Sequence, residues 1–349
     1  MKAWRAAFLT TATTAVLAAQ GTPSEWNDRG LEAAKRGAHA EAEDLYRQAI
    51  EGWKAKGPEF DAHLATTLLN LGQSYCAQGK RREASILFEE SLVKYRRIFG
   101  VRNEWTLTAM NLLGAVYLML GDSSRAAPLF EEALPLEREV LPANVQLARS
   151  LQGLATINLN AHNLDAALAQ AEEALKVALA AEGEKSMDAA MAYATAAEVH
   201  RISHRYDRAL PLYRKSRAIY ETLLGTEHPR VASLLSQEGL ILMTDGKYGL
   251  AEKDMVRSLE IVKKACPGCT YELWVGECNL GLLRYKQKRY AEADALLSHS
   301  LEIQEKYTPH PGPDMVGTIQ ALAATREKLR RFEDARRLSQ RATMLMSYH

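Results

Sequence analysis

The chain has 349 residues, of which 47% are apolar and 25% charged, a composition within the globular range that argues against a disordered or fibrous protein. Its formal net charge of +1 gives no case for a nucleic-acid partner bound by bulk charge. No segment after the N-terminal leader approaches the length of a membrane span.

Residues 1–23 stand apart from the rest. Lys2 and Arg5 precede an uncharged apolar stretch, Ala6 to Ala19, and small residues follow. This is the outline of a secretory signal peptide, with cleavage expected after Ala18, Ala19 or Gly21. At about 14 residues the apolar run is short for a span, and no Cys follows it to carry a lipid. The mature chain is expected in a bacterial periplasm or outside the cell. Removing Lys2 and Arg5 with the leader takes the net charge to −1.

From residue 24 onward the sequence repeats. Ala42, Ala84, Ala126, Ala167, Ala209, Ala251, Ala293 and Ala335 fall 42, 42, 41, 42, 42, 42 and 42 residues apart. A period of that size marks one two-helix unit copied and stacked, so residues 24–349 are expected to form an all-α solenoid. Its eight pairs are expected near 24–64, 65–106, 107–147, 148–189, 190–231, 232–273, 274–315 and 316–349. Twelve residues before each alanine stands a small residue: Gly30, Gly72, Gly114, Ala155, Ala197, Gly239, Gly281 and Ala323. Seven residues after it stands another: Ala49, Ser91, Ala133, Ala174, Ser216, Ser258, Ser300 and Ala342. Four residues after it is usually a large apolar side chain (Tyr46, Phe88, Phe130, Tyr213, Met255 and Leu297), with Ala171 and Ser339 as exceptions. Small residues let two helices approach closely, and the large one fills the space beside the contact. Gly37, Gly79, Gly121, Gly246 and Lys288 occupy one place ahead of the alanine helix, where glycine suits the left-handed residue that ends a helix.

Several side-chain groups invite chemical explanations. Cys266 and Cys269, in Cys266-Pro267-Gly268-Cys269, lie in a loop between the sixth and seventh pairs and are expected to form a disulfide in an oxidising compartment. Closing so short a loop contributes roughly 2 kcal/mol, so its effect would be local. Cys278 can compete for Cys269. A thioredoxin-like role would need the first Cys at a helix N-terminus, whereas Cys266 ends a helix. His200 and His204 are four apart, but Arg201 follows the first where a zinc protease needs Glu, and His200 falls in an inter-helix packing column with Tyr75 and Tyr117. Lys80, Arg81 and Arg82 occupy a turn and are expected to be solvated. The last pair carries Arg326, Lys328, Arg330, Arg331, Arg336, Arg337 and Arg341 among acids, as the polar outer face of a terminal repeat. There is no Gly-rich phosphate loop and no G-x-S-x-G elbow. No enzyme activity, cofactor or metal is expected.

The small residue, the alanine twelve later, the aromatic four after it and the next small residue resemble the tetratricopeptide repeat. The 42-residue period, Leu224-Gly225-Thr226-Glu227-His228-Pro229-Arg230-Val231-Ala232, Asn70-Leu71-Gly72 and Asn279-Leu280-Gly281 resemble its kinesin-light-chain-like subgroup. The resemblance covers roughly residues 24 to 346 and implies a right-handed solenoid whose first helices line a concave groove. Carried onto this chain by register, that wall holds Thr66, Gln73, Asn111, Arg149, Gln152, Glu198, Arg201, Ser236 and Tyr285, with Val275, Cys278 and Leu282 before the last, and Asn70 and Asn279, one place along, are expected to reach a peptide backbone. The ligand implied is a protein or peptide partner, in extended or helical form. A thiol–disulfide protein using Cys266 and Cys269 and a self-associating structural component are the alternatives.

Overall fold

The computed structural model describes residues 21–140, 144–265, 270–307 and 312–347. The leader up to residue 20, and Cys266 and Cys269 with their expected disulfide, lie outside the described residues. Among the described residues there are sixteen α-helices and no strand. They come in pairs: α1 (Pro23–Lys35) with α2 (His39–Lys56), α3 (Asp61–Ala77) with α4 (Arg81–Phe99), α5 (Glu104–Met119) with α6 (Ser123–Val140), and α7 (Val145–Asn160) with α8 (Leu164–Glu182). Then follow α9 (Met187–Ile202) with α10 (Tyr206–Leu224), α11 (Pro229–Thr244) with α12 (Tyr248–Ala265), α13 (Thr270–Lys286) with α14 (Tyr290–Tyr307), and α15 (Pro313–Lys328) with α16 (Phe332–Met346).

The chain divides into two compact units, one ending at Val177 and the other beginning at Ala178. In the first, α1 to α7 each pack on the next, and α1 touches α3 and α5 touches α7 directly. In the second, α9 to α16 each pack on the next, and α13 touches both α11 and α15. First helices therefore neighbour first helices. This is an all-α solenoid of helix pairs. Most pairs begin three or four residues ahead of the expected repeat bounds, and in several of them a polar residue outside the apolar pattern caps the first helix. Asn103, Asn144, Ser186 and His228, at the same register, each accept a backbone N–H as N-caps.

The repeat columns show why the pairs close. All eight alanines are no more than 1% exposed. The large residue sixteen places after each glycine lies against it: a Cβ on Gly30 would meet Tyr46 at 2.7 Å, on Gly114 Phe130 at 2.6 Å, on Gly239 Met255 at 2.7 Å and on Gly281 Leu297 at 2.8 Å. The small column after the alanine does more than leave room. Ser91, Ser216, Ser258 and Ser300 donate their hydroxyls to the carbonyls of Ala65, Ala190, Ala232 and Trp274, each 26 residues back on the first helix, at 2.7–2.9 Å. A buried hydroxyl is thereby satisfied, and the two helices are joined by a bond whose loss would leave it unpaired.

The turn inside every pair has one left-handed residue. Gly37, Gly79, Gly121 and Gly246 hold this place in four pairs, and His162, His204, Lys288 and Arg330 in the others, with φ between 57° and 77°. Of the turn cations expected to be solvated, Lys80 is an exception. Its ammonium pairs with Glu43 at 2.9 Å and lies over the Tyr75 ring at 5.0 Å, because the neighbouring pair presents a carboxylate there. In the last pair Arg336 and Arg337 are exposed, whereas Arg326 is drawn down onto Asp294 at 2.9 Å and Arg341 onto Glu305.

A candidate peptide-binding surface on the first helices

In the first unit the expected wall positions divide into accessible and buried groups. Gln73 on α3 is exposed. Thr66, half-buried, donates to the Ala62 carbonyl at 3.0 Å and shares a 2.7 Å hydrogen bond with the Tyr95 hydroxyl. Asn70 donates its amide N–H to Asn27 on α1 at 3.0 Å, so it joins two neighbouring first helices. Arg149 on α7 is half-buried. Asn111 and Gln152 differ from the expectation. They are only 3% and 8% exposed, and neither offers its side chain to a ligand.

Asn111 turns inward because of its neighbours. Its Nδ2 donates to Glu137 at 2.7 Å and lies 3.3 Å from the Gln146 side-chain oxygen, while its Oδ1 accepts from Ser150 at 2.6 Å. Glu137 is fully buried, in a column held elsewhere by Trp53, Tyr95, Tyr220 and Val262. Burial raises its pKa, partly opposed by hydrogen bonds from Ser150 and Asn111. An acid buried where three other pairs place an aromatic ring needs donors, and Asn111 supplies one.

In the second unit Glu198 and Arg201 form an ion pair at 2.5 Å, and the Tyr213 hydroxyl donates to Glu198. Burial of Glu198 acts to raise its pKa, but the bonds from Arg201 and Tyr213 and the Arg201 charge outweigh it and hold the carboxyl below its ordinary value. Arg201 is already matched and gives no free positive site. Ser236 on α11 receives a long 3.4 Å bond from Asn279 on α13, 43 residues on, the same relation as Asn70 to Asn27. Tyr285 packs edge-on against Tyr290 with ring centroids 5.5 Å apart.

The register converges at one place. Val275, Cys278, Asn279 and Leu282 of α13 line an open pocket of about 340 Å³ whose other wall is Pro313, Asp314, Gly317 and Thr318 of α15. Tyr271 and Trp274 close its end, in a T-shaped pair with centroids 5.1 Å apart. Thr318 lies 3.5 Å from the Cys278 sulfur. Tyr271, Trp274 and Asp314 escape a reading confined to the apolar stretch. Tyr271 sits one helical turn before Val275, so extending the wall register backward by four residues would have found it. His200 is a buried residue of α9, as its packing column implied, and His204 serves as the left-handed turn residue. Among the described residues no group of three His, Cys, Asp or Glu side chains is placed to hold a metal ion, and no helix is long and apolar enough to cross a membrane.

The family model described as "Tetratricopeptide repeat" matches residues 63–139, 146–222 and 188–264. Solved structures of similar fold include BtubC (BKLC) from P. vanneervenii, at 20% identity and TM-score 0.55, covering 67% of this chain and 94% of that one. The apo form of RapI is 16% identical at TM-score 0.61, covering 82% and 77%. Aspartyl phosphate phosphatase F from Bacillus subtilis is 14% identical at TM-score 0.59, covering 86% and 75%. At these identities the likeness is one of fold. No curated protein sequence matches the chain.

Proposed function

The chain belongs to the tetratricopeptide repeat family, and from that premise we propose that it is a protein-interaction scaffold that seats a partner peptide or helix on its first-helix face, at the pocket between α13 and α15. The repeat fold supports a scaffold in general, and proteins of this family are generally non-catalytic. The observation that carries the finer statement is the meeting of four wall positions, Val275, Cys278, Asn279 and Leu282, in one concavity with polar groups at its rim. An apolar cleft with a few convergent polar groups is the usual form of a binding site. The register supplied Val275, Cys278 and Leu282, with Asn279 one place along, which makes their convergence informative.

The test is a random-peptide display selection against the purified chain, followed by binding of the selected peptides to Gly317→Arg. A Cβ on Gly317 meets nothing within 4 Å, so the new side chain enters the pocket without disturbing the helix contacts. Selected peptides are expected to lose at least tenfold in affinity. Undiminished binding would move the site off this face. The leader supports export as a further proposal, which a fusion of residues 1–30 to a periplasm-dependent reporter enzyme would test.

A further inference from the structure

We propose that the pocket between α13 and α15 takes a lysine or arginine side chain of the bound peptide, with the Asp314 carboxylate receiving the cation and the Tyr271–Trp274 pair flanking its stem. The proposal deepens the peptide-binding reading and rests on it. Its basis is charge and shape. At about 340 Å³ the pocket is at the small end of ligand sites, a size suited to one long side chain of a larger partner. Aromatic and aliphatic side chains share its walls with the neutral Cys278, Asn279 and Thr318, and Asp314 is the one formally charged residue among the described residues that line it.

Asp314, like Glu272 beside Tyr271, has no ion pair with a described residue, whereas several acids on neighbouring helices are matched. Glu252 is held by Arg284 and Arg289, Asp294 by Arg326 and Arg331, Glu277 by Lys263, and Glu305 by Arg341. No described cation lies within ion-pair distance of Asp314. It stands in the first turn of α15. Its field reaches the pocket interior. After burial, the Asp314 charge is the next influence raising the Tyr271 hydroxyl, with Glu272 adding in the same direction, and it also raises the Cys278 thiol.

A guanidinium or ammonium between this carboxylate and two aromatic rings gains both a charge-assisted hydrogen bond and a cation–π contact. The aliphatic stem of the same side chain covers Leu282. An acidic side chain or a peptide C-terminus would meet Asp314 as a like charge and is disfavoured.

The experiment uses the full chain labelled with ¹⁵N-indole tryptophan, with the Trp274 signal assigned by Trp274→Phe. It is titrated at constant ionic strength with n-butylguanidinium, its neutral analogue n-butylurea, and butyrate. The Trp274 indole resonance is expected to move saturably with the cation, at least tenfold more weakly with the urea, and not with butyrate. Asp314→Asn is expected to weaken the cation at least fivefold while leaving the other indole signals in place. No saturable shift with the cation, equal binding of the urea, or indifference to Asp314→Asn would overturn the proposal. The two readings fail separately. Selected peptides that lose binding on Gly317→Arg, yet tolerate norleucine at every Lys and Arg, would sink the cation assignment and leave the peptide site standing.

Discussion

The left-handed residue in every intra-pair turn offers a clean measurement, because at Gly37, Gly79, Gly121 and Gly246 a Cβ would meet nothing within 4 Å. A substitution there changes backbone preference and little else. The left-handed region costs an L-residue about 1–2 kcal/mol, while alanine also stiffens the unfolded chain by about 0.4–1 kcal/mol in the opposite direction. Gly121→Ala is therefore expected to destabilise by about 1 kcal/mol. The reverse change tests the same term with opposite sign. Lys288 and Arg330 hold φ of 62° with exposed side chains, so Lys288→Gly and Arg330→Gly are each expected to stabilise by about 1 kcal/mol. Urea unfolding followed by circular dichroism at 222 nm would report the midpoint. Native-state hydrogen exchange would report the local pair, since repeat arrays need not unfold in one step. A neutral Gly121→Ala, or a Lys288→Gly that destabilises, would refute the reasoning.

Three other outcomes follow from the packing. Gly72→Ala places a Cβ 2.4 Å from the Phe88 ring and is expected to cost about 1–3 kcal/mol by thermal unfolding, with Phe88→Leu recovering part of it in the double variant. Asn111→Ala leaves the buried Glu137 with one donor fewer, Ser150 being its remaining partner. It should destabilise by about 2–4 kcal/mol, and an effect under 0.5 kcal/mol in urea would contradict the network. The carboxyl of Glu43 is held at about 2 by the bond from Lys80, with Tyr75 and Arg47 adding to it, while its partial burial acts the other way. A depressed carboxyl stabilises the fold above its unfolded value of 4.5 and loses that contribution as pH falls through the folded value. The stability gap between the native chain and Glu43→Gln is therefore expected to be about 2 kcal/mol at pH 7 and to shrink between pH 4.5 and 2, as paired urea midpoints would show.

What the sequence revealed, and what it hid, follows from which contacts repeat. The alanine and the small-residue columns recur in every pair and the large plug in six of eight, and all eight alanines lie in the interior as their spacing implied. The turn was legible at Gly37, Gly79, Gly121, Gly246 and Lys288. At His162, His204 and Arg330 only the register could place it, since those side chains carry no sign of a left-handed backbone. The serine column was visible as small residues, but its bonds to carbonyls 26 places back depend on how the two helices face each other. Asn111 matched the wall register and went inward because of one substitution in a different column, Glu137, a dependence that no single-position pattern carries. Tyr271 and Asp314 belong to first turns, ahead of the apolar periodicity that defined the wall.

The most direct test of where the scaffold holds its partner is photo-crosslinking of a display-selected peptide. The photoreactive residue p-benzoylphenylalanine replaces the exposed aromatic Tyr271 at the end of the pocket in one protein and Leu250, an exposed position on α12, in another. A peptide adduct is expected at position 271, competed away by unlabelled peptide, and none at 250. Adducts at 250 with none at 271 would contradict the proposed site.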